Sequence, residues 1–273
     1  MCSSDLAALA TRANTLVHLR YREGVYWAHV CLRDNTCARA VLDTGSSNLV
    51  LSAHGCTSCD ARDGHIAVPS QVVGTNRELH YGSQSIMADV GLAHIEIRGF
   101  DLDHTLNHTL LKDVDAAVQH LQAGGVGAAS ITASGQGEVF ATKRMSGDTA
   151  ANILGMAPSP PGAPPSVLAS LQPDPAQQQF GVMLGTHGGV WIPGPPPSAA
   201  LSRGRARIAW VPMVRPLHLH HQPTLFYMCR LHDVLVGGSV HAMRSAFTSW
   251  SRPREMWLML DTGSTHTFTS RSL

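Results

Sequence analysis

Two aspartates carry the same surroundings far apart in the chain. Asp43 ends the run Ala-Val-Leu and opens Thr44-Gly45-Ser46, while Asp261 ends Leu-Met-Leu and opens Thr262-Gly263-Ser264. A carboxylate at the end of an apolar strand is expensive to desolvate unless hydrogen bonds hold it or chemistry needs it. A lone Asp-Thr-Gly reads as a turn, in which Asp bonds the backbone two residues on and Gly relaxes the backbone. A turn, however, requires neither a buried lead-in nor a second copy. Two carboxylates brought together from two similar units form an acid/base pair, because both cannot ionise comfortably at close range and they share a proton. The ionised member can take a proton from water, and the protonated member can donate to a carbonyl oxygen under attack. In such a pair Thr44 and Thr262 are expected to hydrogen-bond to the opposite loop. Gly45 and Gly263 let backbone N–H groups approach the carboxylates, and Ser46 and Ser264 hold the outer oxygens.

The elements that must position these residues are short strands. At 273 residues the chain is one large or two medium domains. Charged residues are only 14%, against 25 Gly and 16 Pro, a balance that suits a turn-rich β protein better than a helical one. Hydrophobic content of 44% fits a globular chain, and a net charge of +1 gives no support for binding nucleic acid or an anionic membrane. No apolar run approaches the roughly 20 residues that cross a bilayer as a helix.

Residues 26–32 alternate roughly, 34–37 read as a turn, and 38–43 return as the strand that ends at Asp43. Residues 78–90 are β-friendly around a Gly-Ser-Gln-Ser centre, and 91–100 alternate through Leu92, His94, Glu96 and Arg98. Residues 101–122 have the best helical spacing, which the Gly-rich stretch 124–137 dissolves into loop. After the buried-type run 152–156 come two Pro-rich stretches, 157–166 and 193–198, the second marking a lobe boundary. Strands are expected again at 207–213, 224–238 and 256–261, so one aspartate motif falls on each side of that boundary.

Six cysteines do not make a disulfide scaffold. Cys31 and Cys37 could bridge a hairpin, Cys56 and Cys59 could close a very tight loop, and Cys2 and Cys229 have no obvious mates. Cys-Thr-Ser-Cys has a zinc reading too, but no second Cys/His pair stands at ligand spacing, so loop cysteines are preferred and no metal is expected. His218-Leu219-His220-His221 is read as solvated imidazoles, since no carboxylate stands at helpful spacing. No strained nucleophile turn and no phosphate-loop pattern is present. Asn107-His108-Thr109 is a glycosylation sequon, which points weakly to the secretory route.

The two Asp-Thr-Gly-Ser motifs resemble those of pepsin-like aspartic proteases (peptidase family A1), and the likeness runs roughly from Tyr21 to the end. Residues 80–85 resemble that family's flap, with Tyr81, Gly82 and Ser83 over the substrate. Residues 151–156 resemble the segment that threads the first active-site loop, 180–194 the strand pair closing the first lobe, and 208–213 the start of the second. The resemblance implies a mostly all-β, bilobal fold: a leader at 1–20, an N-terminal lobe at 21–196 and a partial C-terminal lobe at 197–273. It implies an aspartic endopeptidase with Asp43 and Asp261 as the dyad, needing no cofactor, taking peptide or protein substrates and monomeric when full length. It places the work in a secreted or acidic compartment, although residues 1–20 lack the basic start and apolar core of a secretory signal. Departures accompany the likeness. Val50 stands where the family has a Trp that hydrogen-bonds the flap Tyr, the flap is short, and Ala151-Asn152 replaces Asp-Gly. Leu273 follows Asp261 closely, which is read as an incomplete second lobe and an inactive fragment. The alternative reading is a catalytically inactive, protease-like peptide-binding protein.

Overall fold

The apolar lead-in to Asp43 becomes a strand near the middle of a ten-stranded sheet. A computed structural model of the chain describes residues 17–81, 84–100, 133–146, 152–159, 165–172, 174, 178–185, 188–194, 211–213, 226–231 and 256–264. The described molecule is mostly β, and no helix among these residues is long and apolar enough to cross a membrane.

Strand β1 (Val17–Arg22) turns at Glu23-Gly24, both at positive φ, into β2 (Val25–Leu32). Paired left-handed residues match the twist of a tight hairpin. β1 begins ahead of the expected lobe boundary at Tyr21, and Val17 and Leu19 are buried while it pairs with β2 and β10. β3 (Cys37–Asp43) returns through a turn in which the Asp34 carboxylate accepts the Thr36 N–H at 3.0 Å and Asn35 sits at φ 63°. Cys31 and Cys37, directly opposite in the β2–β3 register, form a disulfide. β4 (Leu49–Ser52) is buried throughout and leads to a loop closed by the Cys56–Cys59 disulfide, so both cysteine pairs are bridged.

β5 (Gln71–Tyr81) and β6 (Gln84–Arg98) form a long hairpin, and β6 pairs in turn with β7 (Ala133–Ser146). β6 serves two apolar clusters: Ile86 and Ala88 bury into one, Ile95 and Ile97 into the main core. The switch from even to odd positions marks where the strand changes which face it buries. β7 corrects an expectation, since residues 133–137 of the Gly-rich stretch are strand. Their glycines admit a close neighbour rather than a loop. A Cβ on Gly135 would collide with the Ser170 carbonyl, and one on Gly137 would lie 2.8 Å from both Ser170 Oγ and Ile95 Cδ1. Ser170 belongs to helix α1 (Val167–Leu171), capped by Ser166 Oγ and burying Val167, Leu168 and Leu171. That short helix also lay hidden in a Pro-rich setting.

β8 (Ile153–Gly155) slots between β3 and β4, parallel to the first and antiparallel to the second. The order is β5-β6-β7-β4-β8-β3-β2-β1-β10-β9, with β9 (Phe180–Gly185) and β10 (Gly188–Pro193) as the hairpin expected at 180–194. Leu42, Leu49, Leu51, Leu154, Met156 and Trp191 fill the main core, all 1% exposed or less. Farther along, β11 (Met228–Leu231) and β12 (Met256–Met259) form a separate antiparallel pair that leads into Asp261. Val211–Met213 are described as non-strand, against expectation, and their side chains are exposed. The expected helix at 101–122, the sequon, His218–His221, and residues 207–210 and 232–238 lie outside the described residues.

Candidate active site

The three-strand set β4-β8-β3 explains how Asp43 is placed. Leu42 and Leu154 lie side by side and wholly buried, which anchors the end of β3, and the chain then leaves the sheet at Asp43. Residues 44–48 form a loop around which β8 passes. Met156 N–H donates to the Asp43 carbonyl at 2.7 Å, Ala157 N–H to the Ser46 carbonyl at 2.7 Å, and Gly155 N–H to the Asn48 carbonyl at 3.0 Å. A Cβ on Gly155 would stand 2.5–2.7 Å from the backbone of Asn48 and Ser47, so only glycine fits this crossing.

The loop aims Asp43 by hydrogen bonds. Its Oδ1 accepts the Gly45 N–H at 2.7 Å and its Oδ2 accepts the Ser46 hydroxyl at 2.5 Å. Around Asp261 the arrangement repeats, with the Gly263 N–H donating to Oδ1 at 2.9 Å. The two loops then lock together. Thr44 Oγ1 donates to the Leu260 carbonyl at 2.8 Å and Thr262 Oγ1 to the Leu42 carbonyl at 2.5 Å. Each hydroxyl also accepts the other threonine's N–H, at 3.1 and 3.0 Å.

The same lock presses each glycine against the opposite acid. A Cβ on Gly45 would lie 2.7 Å from the Asp261 Cγ, and one on Gly263 would lie 2.5 Å from Asp43 Oδ1. Asp43 and Asp261 come into side-chain hydrogen-bonding contact. Burial pushes Asp43 up to about 6; the Ser46 and Gly45 bonds pull it down, and the charge and hydrogen bond of Asp261 push it up again. Two carboxyls this close cannot both ionise without cost.

Thus Asp43, Thr44, Gly45, Ser46, Asp261, Thr262 and Gly263 are brought together, and Ser264 follows half-buried on the same loop. Tyr81 reaches the site from the end of β5. Its hydroxyl accepts a hydrogen bond from Asn48 Nδ2 at 3.1 Å, and its ring packs on the cluster of Val50, Ile86, Ala88 and Ile153. Burial raises the phenol to about 12; the Asn48 bond lowers it and the Asp43 charge raises it. Gly82 and Ser83 lie outside the described residues. Among the described residues no group of three or more His, Cys, Asp or Glu is placed to hold a metal ion.

Three supporting residues escaped sequence reading. Asn48 is the partner of Tyr81. Asn152, wholly buried, accepts the Ser52 N–H at 2.6 Å and the Ser52 hydroxyl at 2.8 Å on its side-chain oxygen. Its amide donates to the Asp63 carbonyl at 3.3 Å and its own carbonyl accepts the Val41 N–H at 3.0 Å, so it ties β3, β4 and β8 together. Tyr227 donates to the Met156 carbonyl at 2.8 Å and meets Phe180 edge-on, joining the second aspartate's strand pair to the crossing segment. Asn152 was marked only as a departure in the threading segment, and Asn48 and Tyr227 are a polar and an aromatic residue of kinds too common to single out.

No protein-family model matches the chain, and no curated protein matches it.

Proposed function

We propose that the chain is an aspartic endopeptidase of the pepsin-like, bilobal type, with Asp43 and Asp261 as its catalytic dyad. The observation that carries this reading is the reciprocal threonine lock, which sets two carboxyls in contact with one glycine beneath each. A turn motif used twice for structure alone has no reason to bury its acids against each other.

The chemistry follows from the shared proton. A water held between the carboxyls loses a proton to the ionised member as its oxygen attacks the peptide carbonyl carbon. The protonated member gives its proton to the carbonyl oxygen, which yields a neutral tetrahedral diol. In the second half a diol proton returns to one carboxyl and the other protonates the amide nitrogen. The C–N bond then breaks to leave an acid and an amine. The substrate is an extended peptide laid as an added strand beneath the β5–β6 hairpin, held by main-chain hydrogen bonds with Tyr81 above it.

The test is cleavage of a peptide library at acid pH, with and without a statine-type inhibitor whose hydroxyl mimics the diol. Inhibitor-sensitive cleavage that fades as pH rises through about 6, and that vanishes in Asp43→Asn, is the expected result. Binding of the inhibitor without turnover assigns the chain instead as a peptide-binding relative. Neither binding nor cleavage removes both readings.

A further inference from the structure

We propose that Asn48 is a positioning residue for Tyr81: its side-chain amide fixes the phenol's hydrogen-bonding direction and couples the β5–β6 hairpin to the Asp43 loop. The proposal rests on the endopeptidase reading above and goes beyond it.

Alternation along an extended chain puts residues i and i+2 on one face. Asn48 and Val50 therefore present to the same side of the Asp43 loop and β4. Tyr81 meets both, with its ring against the cluster that contains Val50 and its hydroxyl at 3.1 Å from Asn48 Nδ2. Val50 offers the ring an apolar contact and the hydroxyl no donor, so it serves as floor and Asn48 as latch.

The polarity of that latch matters. An amide nitrogen only donates, so the Tyr81 oxygen is the acceptor and its own O–H is left free to donate elsewhere. Asp43 is the charged group whose field reaches the phenol, and burial keeps the phenol neutral and able to donate. The hairpin thus presents a donor to the space beside the dyad, pointed by Asn48. The same residue is fixed at its backbone, because its carbonyl accepts the Gly155 N–H at 3.0 Å where β8 crosses the loop. Its place is set by the part of the fold that sets Asp43, and Tyr81 takes its register from there.

The experiment is a double-mutant cycle on the full chain, read as kcat and KM across acid pH with a peptide substrate. Asn48→Ala is expected to lower kcat/KM about tenfold, the effect of losing one hydrogen bond that orients a reacting group. In a Tyr81→Phe background the same change should have less than about a twofold effect, because the group it orients is gone. Asn48→Asp keeps the shape but stops donating once ionised. Its activity should therefore fall additionally as pH rises through the new carboxyl's titration, and that extra fall should vanish with Tyr81→Phe. Hydrogen exchange at the end of β5, around Leu79–Tyr81, measured without substrate, should rise in Asn48→Ala and Tyr81→Phe alike.

Full activity in Asn48→Ala overturns the proposal. So does an equal loss in both backgrounds, which marks a merely structural residue. If wild type cleaves normally while the cycle shows no coupling, this proposal fails and the endopeptidase reading stands. If wild type neither cleaves nor binds the diol mimic, both fail.

Discussion

Thr44 and Thr262 treat each other identically: each donates its hydroxyl to the carbonyl just before the other's aspartate and accepts the other's backbone N–H. They stand 218 residues apart in the chain. Four hydrogen bonds between two short loops fix the approach of the two acids more tightly than either loop does alone, because each threonine is both donor and acceptor.

Thr44→Val keeps the shape but leaves the Leu260 carbonyl and the Thr262 N–H without their partner. With Thr44 only 4% exposed, the expected loss of stability is about 2–4 kcal/mol. Catalysis should fall with it, since the acids lose their spacing. Thr44→Ser keeps the hydroxyl and removes one methyl, so it should lose about 1 kcal/mol and retain most of the activity. Denaturant unfolding beside kcat/KM checks this; equal losses in both variants would show that the methyl, not the lock, matters.

Gly45→Ala and Gly263→Ala test the contact between glycine and opposite acid. The added methyl would have to displace the Asp261 carboxyl, 2.7 Å away, or the Asp43 carboxyl, 2.5 Å away. In the proposed mechanism, separating the pair ends the sharing of a proton, so kcat is expected to fall at least a hundredfold, roughly the scale of losing an acid/base contribution. Steady-state kinetics with titration of a statine-type inhibitor gives the answer. Wild-type activity in either variant would mean that the carboxyls need not touch.

Gly155→Ala acts on the fold beneath the site. Its methyl meets the backbone of Asn48 and Ser47 at 2.5–2.7 Å, and backbone cannot swing aside as a side chain can. β8 would leave the slot between β3 and β4 and expose Leu154, so a loss of about 4 kcal/mol or failure to fold is expected. Soluble yield and a thermal melt decide it. A folded Ala variant with an unchanged melting temperature would show that the crossing is looser than its contacts indicate.

What sequence reading could reach here was local. The Asp-Thr-Gly-Ser repeats were legible because an acid behind apolar residues is locally anomalous, and repetition suggested that the two copies belong together. The strands around Asp43 were legible from alternation and turn residues. Glycine misled where its cause was remote: Gly135 and Gly137 read as loop, yet they make room for a helix that arrives from residues 167–171. Asn48, Asn152 and Tyr227 were hidden for a related reason. Each acts on a partner at least 33 residues away, and nothing beside it in the chain announces that partner. Hydrogen bonds across a sheet leave no period to count.

The last prediction concerns stability and pH. Burial first, and then the charge and hydrogen bond of Asp261, outweigh the Ser46 and Gly45 bonds and hold Asp43 at about 6, above its ordinary 3.8. A carboxyl raised in the folded state binds its proton more tightly there than in the unfolded chain. Its contribution to stability is therefore fully present below about pH 4 and is lost as pH rises through about 6. Allowing for a group that is only half-buried, the loss is about 2 kcal/mol. Asp63 and Glu138, each raised chiefly by burial, act in the same direction. Asp60 acts oppositely, held at about 2 by Arg62, as does Asp89, where the Asn76 N–H and Lys143 outweigh burial. Because Asp261 contributes to the raised value of Asp43, the comparison is between wild type and the double variant D43N/D261N. Unfolding free energies at pH 4 and pH 7 should show wild type losing about 2 kcal/mol more than the variant over that interval. The other four carboxyls are common to both proteins and cancel. Equal pH dependence in the two would mean that the pair holds no extra proton, and the shared-proton chemistry would lose its foundation.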